Sequence, residues 1–332
     1  MRLLVLGGTE FVGRAVVHEA LAAGWQVTVF NRGSHRAADG VEAVVGDRTE
    51  PGALAALGAG TWDVVVDTWS WAPRAVRDSA AALADRAASY VYVSSRSVYD
   101  DPPAGACETS PVVEASPDAA QSSYAADKRG AELGAIAAFG DRALVLRPGL
   151  IIGPHENVGR LPWWLARSAR GGRMLAPGPA ASGIQFVDAR DLARFCLSAA
   201  ERGLGGAFDV VSPVDRASFG DLIAACVAVT GSVADPVWVD PETILAAGIS
   251  PWTELPVWLP PGVDHDALHR SDTAKAAAAG LVIRPLEETV ADTWEWLQSP
   301  GAVVAQRPDR PPGGLDAEIE ARVLAEAVQP LA

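Results

Sequence analysis

Two residues four apart, Tyr124 and Lys128 in "SSYAADKRGAEL", offer the clearest chemistry in the chain. In a helix-forming run that spacing puts both side chains on one face. A phenol is nearly neutral at physiological pH, and an ammonium one turn away favours its ionised form, so the pair can take up and release a proton. The spacing alone is common and equally describes a solvated helix face. A second group changes its meaning: the apolar run in "YVYVSSRSVYD" ends at Ser94, Ser95 and Ser97, hydroxyls that can hold a substrate oxygen against the phenol. A third lies near the start, where "LLVLGGTEFVGRAVVHEAL" joins an apolar run to an amphipathic one through Gly7, Gly8 and Gly13. N–H groups at a helix start, reached through a glycine turn, favour a pyrophosphate, and Gly13 lets the helix approach the sheet. Thr9, Glu10, Phe11 and Val12 complete that turn.

A dinucleotide held there needs a partner for its adenine ribose about 20 residues on, at the end of the second strand. The chain reads "FNRGSHR" at that point, with Asn31 in place of an acid and Arg32 after it. A guanidinium suits a 2′-phosphate, so NADP(H) is favoured and NAD(H) stays open. Asp47 and Arg48, in "VVGDR", are expected beside the adenine, and Thr68, closing "WDVVVDT", on the same rim. Glu10 stands where such loops usually place a glycine. Its side chain must point away from the pyrophosphate, either towards a ribose hydroxyl, which favours NAD, or into a pair with Arg32, which competes with a 2′-phosphate.

These groups need a scaffold, and the first half of the chain supplies one. Apolar runs at 2–7, 26–31, 41–47, 62–68, 90–95 and 143–148 read as strands. Helical stretches near 11–23, 73–88 and 122–138, and a short one in "GALAAL", lie between them. Strands apolar on both faces, most followed by a helix, predict an α/β fold: a doubly wound parallel Rossmann sheet with its ligand at the carboxyl ends of the strands. After about residue 150 the pattern loosens into Pro- and Gly-rich segments, and seven of the eleven tryptophans lie there. This predicts a smaller, irregular C-terminal substrate domain. "IQFVDARDLARF" and "GAFDVVSP" still look like sheet elements, so the dinucleotide-binding domain is expected over 1–155 and about 184–212, and the substrate domain over about 156–183 and 213–332. "RPDRPPGG" reads as a linker and "LDAEIEARVLAEA" as a terminal helix.

Composition narrows the partners. The 332 residues carry a formal net charge of −14, which disfavours nucleic acid and anionic membrane surfaces. Three scattered cysteines, and the lack of a signal-peptide pattern or a membrane-length apolar run, point to a reduced, cytoplasmic setting. His265 and His269 in "DHDALH" read as a solvated helix start, and no metal site is expected. His155 reads as a polar loop residue. Trp69 and Trp71, with Trp163, Trp164, Trp252 and Trp258, are candidates to wall an apolar or ring-shaped substrate pocket. Trp294 and Trp296 read as helix packing.

The glycine turn, the serines after the fifth strand and the Tyr124–Lys128 pair, in this order, resemble the short-chain dehydrogenase/reductase superfamily in its extended, epimerase/dehydratase-like branch. The likeness covers the first 150 residues. "LRPGLIIGP", with Pro148 and Leu150, resembles the stretch that passes the nicotinamide amide in that family, and "FVDARDLA" a later element. The resemblance implies that Tyr124 is the acid/base and Lys128 the ribose-binding lysine. It also implies that Ser95 is the catalytic serine, with Ser97 as fallback, and that a homodimer is to be looked for. Three functions follow: an NADPH-dependent reductase of a small carbonyl compound, a sugar-nucleotide epimerase or dehydratase that keeps its cofactor, or a Rossmann-type binding protein without turnover. The asparagine and arginine of the family's sugar-nucleotide members are missing here, which weighs against a sugar diphosphate unless Arg160, Arg170 or Arg173 substitutes.

Overall fold

Leu3, Leu4, Val5 and Leu6 are all shielded from water, which is possible for consecutive strand residues only when both faces of a sheet are covered. The computed structural model describes residues 1–302, 304 and 313–326. Its first half runs β1 (Arg2–Leu6), α1 (Phe11–Ala22), β2 (Gln26–Asn31), β3 (Glu42–Val45), a 3-10 turn (Ala53–Leu57), β4 (Trp62–Asp67), α2 (Pro73–Leu83), β5 (Ala87–Val93), α3 (Tyr124–Phe139) and β6 (Ala143–Pro148). The second half runs β7 (Leu150–Ile152), α4 (Arg160–Ala169), β8 (Gly172–Pro177), β9 (Gly183–Ile184), β10 (Phe186–Asp188), α5 (Ala189–Glu201), β11 (Gly206–Val210), β12 (Ala217–Ser218) and α6 (Phe219–Thr230). It continues through β13 (Ala234–Val239), α7 (Pro241–Ala246), α8 (Val263–His269), α9 (Ala274–Ala278), α10 (Leu286–Gln298) and α11 (Ala317–Glu326).

Seven parallel strands form the central sheet in the order β11-β6-β5-β4-β1-β2-β3. The order reverses beside β1, and a doubly wound sheet opens its ligand crevice at such a point. One core lies under α1 and α5 and continues into the C-terminal domain, and the other lies under α2 and α3. The expected Rossmann architecture is therefore present. "GAFDVVSP" returns to the main sheet as β11, in register with β6. "IQFVDARDLARF" gives β10, which pairs with β7 outside the main sheet, and then α5.

Several element ends fall a residue or two inside the expected ranges, and one boundary moves further. The helix read over 73–88 stops at Leu83, and the strand read from Tyr90 begins at Ala87. Ala87 pairs with Trp62 and Ser89 with Val64, so the ladder with β4 overrides the helix preference of an Ala-rich run. In the C-terminal domain β8 pairs with β13 and β9 with β12. The predicted terminal helix is α11, fastened by Arg167, which donates to Glu320 at 2.8 Å. Most of the proposed linker, 307–312, lies outside the described residues.

Candidate active site

The chain leaves β1 at Leu6, and Gly7 and Gly8 take φ values of +120° and +92° that side chains disfavour. A Cβ at Gly8 would meet Val29 at 2.8 Å, and one at Gly13 would meet the Gly8 nitrogen at 2.8 Å. The turn is therefore as tight as backbone permits. Glu10, the N-cap of α1, makes no capping hydrogen bond through its side chain. The first turn of α1 thus keeps its N–H groups for another acceptor, which fits a pyrophosphate.

A cavity of about 1460 Å³ opens over this turn and runs along the carboxyl rim of the sheet. Gly7, Gly8, Thr9, Glu10, Phe11, Val12 and Gly13 line it together with Asn31, Arg32, Asp47, Arg48 and Thr68. So do Trp69, Ser94, Ser95, Ser97, Tyr124, Lys128, Pro148 and Leu150. Tyr124 opens α3 directly after Ser123, whose hydroxyl accepts from the Ala126 N–H at 3.3 Å, and 37% of the tyrosine is exposed. Lys128, only 3% exposed, donates to the Trp69 and Val93 carbonyls at 2.7 and 2.8 Å. Its ammonium lies 5.0 Å from the centre of the Tyr92 ring. Main-chain carbonyls therefore fix the cation beneath the site. Ser95 Oγ donates to Ser97 Oγ at 3.1 Å and accepts from the Ser97 N–H at the same distance.

Glu10 does not pair with Arg32. Its carboxylate accepts from Asn157 Nδ2 at 3.0 Å and lies 3.4 Å from His35 Nδ1, so the partner is His35 rather than Arg32. Arg32 faces Asp47, whose carboxyl is held below its usual range by hydrogen bonds from Thr49 and by the Arg32 charge. Asn31 accepts from the Gly33 N–H at 2.8 Å and holds the turn after β2. Arg48 lines the cavity, but its guanidinium donates two hydrogen bonds to the Asp67 carboxylate, at 2.6 Å each, and lies over the Trp69 ring at 5.3 Å. Its charge serves the sheet rim, because buried Asp67 would otherwise be uncompensated.

The aromatic residues divide. Trp69, Trp71 and Trp252 line the cavity. Trp163, Trp164 and Trp258 do not line it, contrary to expectation. Trp258 is 1% exposed and donates its indole N–H to the Gly178 carbonyl, while Trp163 packs edge-on against Trp164 at 4.6 Å. Trp258 belongs to the C-terminal core, where its main-chain acceptor satisfies the buried indole N–H, and half-buried Trp163 packs against that core. His265 and His269 are likewise not solvated. Both are buried, His265 Nε2 lies 3.1 Å from the Gly183 carbonyl, and His269 Nδ1 accepts from the Gln185 N–H. Burial pushes His269 down to about 4. His155 stacks on Trp296 at 5.0 Å, away from the cavity wall, and burial lowers it to about 4.

Behind the serines lies a buried network that sequence reading missed. Glu132, fully buried on α3, accepts from Ser94 at 2.7 Å and from Arg147 at 2.9 and 2.8 Å. Arg147 also donates to the Tyr99 hydroxyl, which donates to Asp209 at 2.7 Å, and Asp209 binds Arg96 as well. Burial raises Asp209 to about 6 despite its two arginine neighbours. The one visible clue is that Glu132 stands four residues after Lys128, on the same helix face.

Glu156, also missed, is fully buried below the loop that carries Asn157 and accepts from the Arg160 and Leu161 N–H groups at 2.7 and 3.2 Å. Burial raises it from 4.5 to about 7. Below pH 4.5 it is protonated in both folded and unfolded chains. Between pH 4.5 and about 7 the unfolded chain ionises while the folded one stays protonated, so stability is lost, by roughly 3 kcal/mol in all by pH 8. Thermal unfolding at pH 5 and pH 8 should show that loss in the parent and not in Glu156→Gln. A loss of equal size in both would assign the effect to other groups.

Residues 3–210 match the family model described as the NAD dependent epimerase/dehydratase family. Among solved structures, the chain is similar to the Bordetella bronchiseptica enzyme WbmH in complex with NAD+, at 18% identity and a TM-score of 0.67, covering 90% of this chain and 99% of that one. It is similar to UDP-N-acetylglucosamine 4-epimerase from Bacillus cereus at 16% identity and 0.66, covering 90% and 100%. It is similar also to UDP-glucuronic acid 4-epimerase from the same organism in complex with NAD, at 15% and 0.64, covering 90% and 99%. At these identities the likeness is one of fold. No curated protein matches the chain.

Proposed function

The chain belongs to the NAD dependent epimerase/dehydratase family, and from that premise we propose that Tyr124 is the acid/base of a hydride-transfer site for a secondary alcohol or carbonyl of a small molecule. The carrying observation is the shared cavity: Tyr124 and the Gly7–Gly13 turn line one continuous crevice, with the Lys128 ammonium fixed on its floor. A nicotinamide dinucleotide, when bound, supplies the hydride acceptor or donor. The glycine turn and the start of α1 would hold its pyrophosphate, and Lys128, Pro148 and Leu150 its nicotinamide half. Tyr124 takes the hydroxyl proton from an alcohol, or returns it to a carbonyl oxygen. Ser95 orients that oxygen, and Lys128 stabilises the phenol when it has lost its proton. The family favours a closed cycle, in which the substrate is oxidised and then reduced or dehydrated without net consumption of cofactor.

A second reading, net reduction by NADPH, is favoured by one observation. Glu10 is engaged by Asn157 and His35, so Arg32 at the end of β2 does not have it as a competitor for a 2′-phosphate. Identifying the dinucleotide released on heat denaturation separates the readings. NAD retained through gel filtration supports the closed cycle. Stoichiometric NADPH consumption, with kcat/KM at least about tenfold above that for NADH, supports net reduction. A Tyr124→Phe chain as active as the parent would sink both.

The turn itself is testable without a substrate. Gly13→Val adds bulk where even a Cβ meets the Gly8 nitrogen at 2.8 Å. The turn must shift, and dissociation constants for NADH and NADPH are expected to rise by about tenfold or more, since about 1.4 kcal/mol of lost contact suffices. Fluorescence titration of the reduced cofactors measures this. Unchanged affinity for both would place the pyrophosphate elsewhere.

A further inference from the structure

The lysine of the Tyr124 site rests on a seat built partly by a residue outside the cavity lining. We propose that Tyr92, fully buried in β5, is a positioning residue: its ring and its hydroxyl together fix where the Lys128 ammonium lies. The inference rests on the reading of Tyr124 and Lys128 above and adds the residue that places the cation.

Side chains alternate along a strand, so Tyr90 and Tyr92 point to the same face of the sheet. They pack with residues of α2 and α3 in one core, where apolar side chains alone would serve. Each brings a hydroxyl to that core instead, and each hydroxyl has an acceptor. Tyr90 donates to the Asp67 carboxylate, and Tyr92 donates to the Trp69 carbonyl at 3.0 Å. Burial pushes the Tyr92 phenol far above its usual range, and Asp67, Tyr124 and Glu132 nearby push it further. The Tyr92 O–H therefore keeps its proton and remains a donor wherever the fold survives.

The Trp69 peptide is gripped at both ends. Its N–H donates to Asp67 at 2.9 Å, and Arg48 and Tyr90 hold Asp67 in turn. Its carbonyl oxygen has two lone pairs, and two donors use them: the Tyr92 hydroxyl at 3.0 Å and Lys128 Nζ at 2.7 Å. Lys128 Nζ also donates to the Val93 carbonyl at 2.8 Å and lies 5.0 Å from the centre of the Tyr92 ring. Of these three contacts to the ammonium, Tyr92 makes one through its ring and orients a second through its hydroxyl.

The seat matters because a lysine stem is flexible, so its contacts decide where the charge stays. Lys128 is 3% exposed, and at that depth water screens its attraction to a neighbouring oxygen only weakly. A displacement of about 1 Å takes an ammonium out of hydrogen-bonding range of a ribose hydroxyl or a phenol.

Calorimetric titration of the full chain with NADH, NADPH and ADP tests the seat without a substrate. ADP carries the adenosine and pyrophosphate that the glycine turn would take, and lacks the nicotinamide ribose that Lys128 would hold. In Tyr92→Leu the dissociation constant of the tighter-binding reduced cofactor is expected to rise by about tenfold or more, the loss of one charge-assisted hydrogen bond, while that of ADP stays within about twofold. Tyr92→Phe keeps the ring and loses the hydroxyl, so the loss should shrink to about threefold. A general packing defect would not distinguish the two ligands. In a Lys128→Met background, Tyr92→Leu should add less than about twofold, because the group it positions is gone. If Tyr92→Leu does not fold, Tyr92→Phe in the same cycle reads the share of the hydroxyl, and its loss must vanish in the Lys128→Met background. Equal losses for ADP and the reduced cofactor, no loss in any Tyr92 variant, or an undiminished loss in the Lys128→Met background overturns the inference. A Lys128→Met chain that binds the reduced cofactors as tightly as the parent would overturn it too, by removing the Lys128 reading beneath it. Turnover indifferent to Tyr124→Phe would end the acid/base reading and leave the seat standing.

Discussion

Tyr124→Phe is expected to lower kcat by about 10²- to 10⁴-fold, the usual contribution of a positioned proton donor or acceptor. The substitution removes one oxygen and keeps the ring. Tyr124 is 37% exposed at the start of α3, so unfolding free energy should change by less than about 0.5 kcal/mol. Cofactor affinity should hold as well, because the glycine turn and Lys128 are untouched. The decisive pattern is thus a collapse of turnover with stability and dinucleotide binding intact. Single-turnover absorbance of the reduced nicotinamide reads the first quantity, and thermal unfolding and fluorescence titration read the others. A fall in dinucleotide affinity parallel to the fall in kcat would instead make Tyr124 a binding residue.

Glu132→Ala is expected to cost about 3–5 kcal/mol of folding stability, the range found when one partner of a buried ion pair is removed. Glu132 is fully buried, and its two oxygens accept from Ser94, Arg129 and Arg147. Removing it leaves the Arg147 guanidinium inside the protein without its carboxylate, since the Tyr99 hydroxyl accepts only one of its N–H groups. Glu132→Gln keeps the shape and part of the hydrogen bonding and should cost less. Urea denaturation of both variants measures the difference. A cost below about 1 kcal/mol for the alanine would show that water or rearrangement compensates the arginine.

The first half of the fold was legible because it rests on local rules. Strands shielded on both faces show as short apolar runs, helices between them follow from length and glycine stops, and Tyr124 and Lys128 meet because they are four apart on one helix. The Arg96–Asp209 and Tyr99–Asp209 contacts were not legible. They join residues 113 and 110 positions apart, and no periodic pattern pairs a strand from the far half with a loop after β5. The tryptophans show the same limit more sharply. Composition marks an aromatic-rich second half, but only the packing of α4 and of the 251–258 segment decides that Trp252 faces the cavity while Trp163 and Trp258 do not. Glu10 sits between these cases. Its place in the glycine turn was visible from sequence, but its partner Asn157 is 147 residues away.

The last strand of the central sheet has a consequence for synthesis. β6 gains its outer neighbour only with β11, whose final residue is Val210, and Asp209 of β11 is also the carboxylate that Arg96 and Tyr99 require. A nascent chain released from the ribosomal tunnel only as far as β6 would carry an open hydrogen-bonding edge and two polar groups lacking their acceptor. Completion of the nucleotide-binding half therefore waits on translation of some sixty further residues, a window in which chaperone protection matters most.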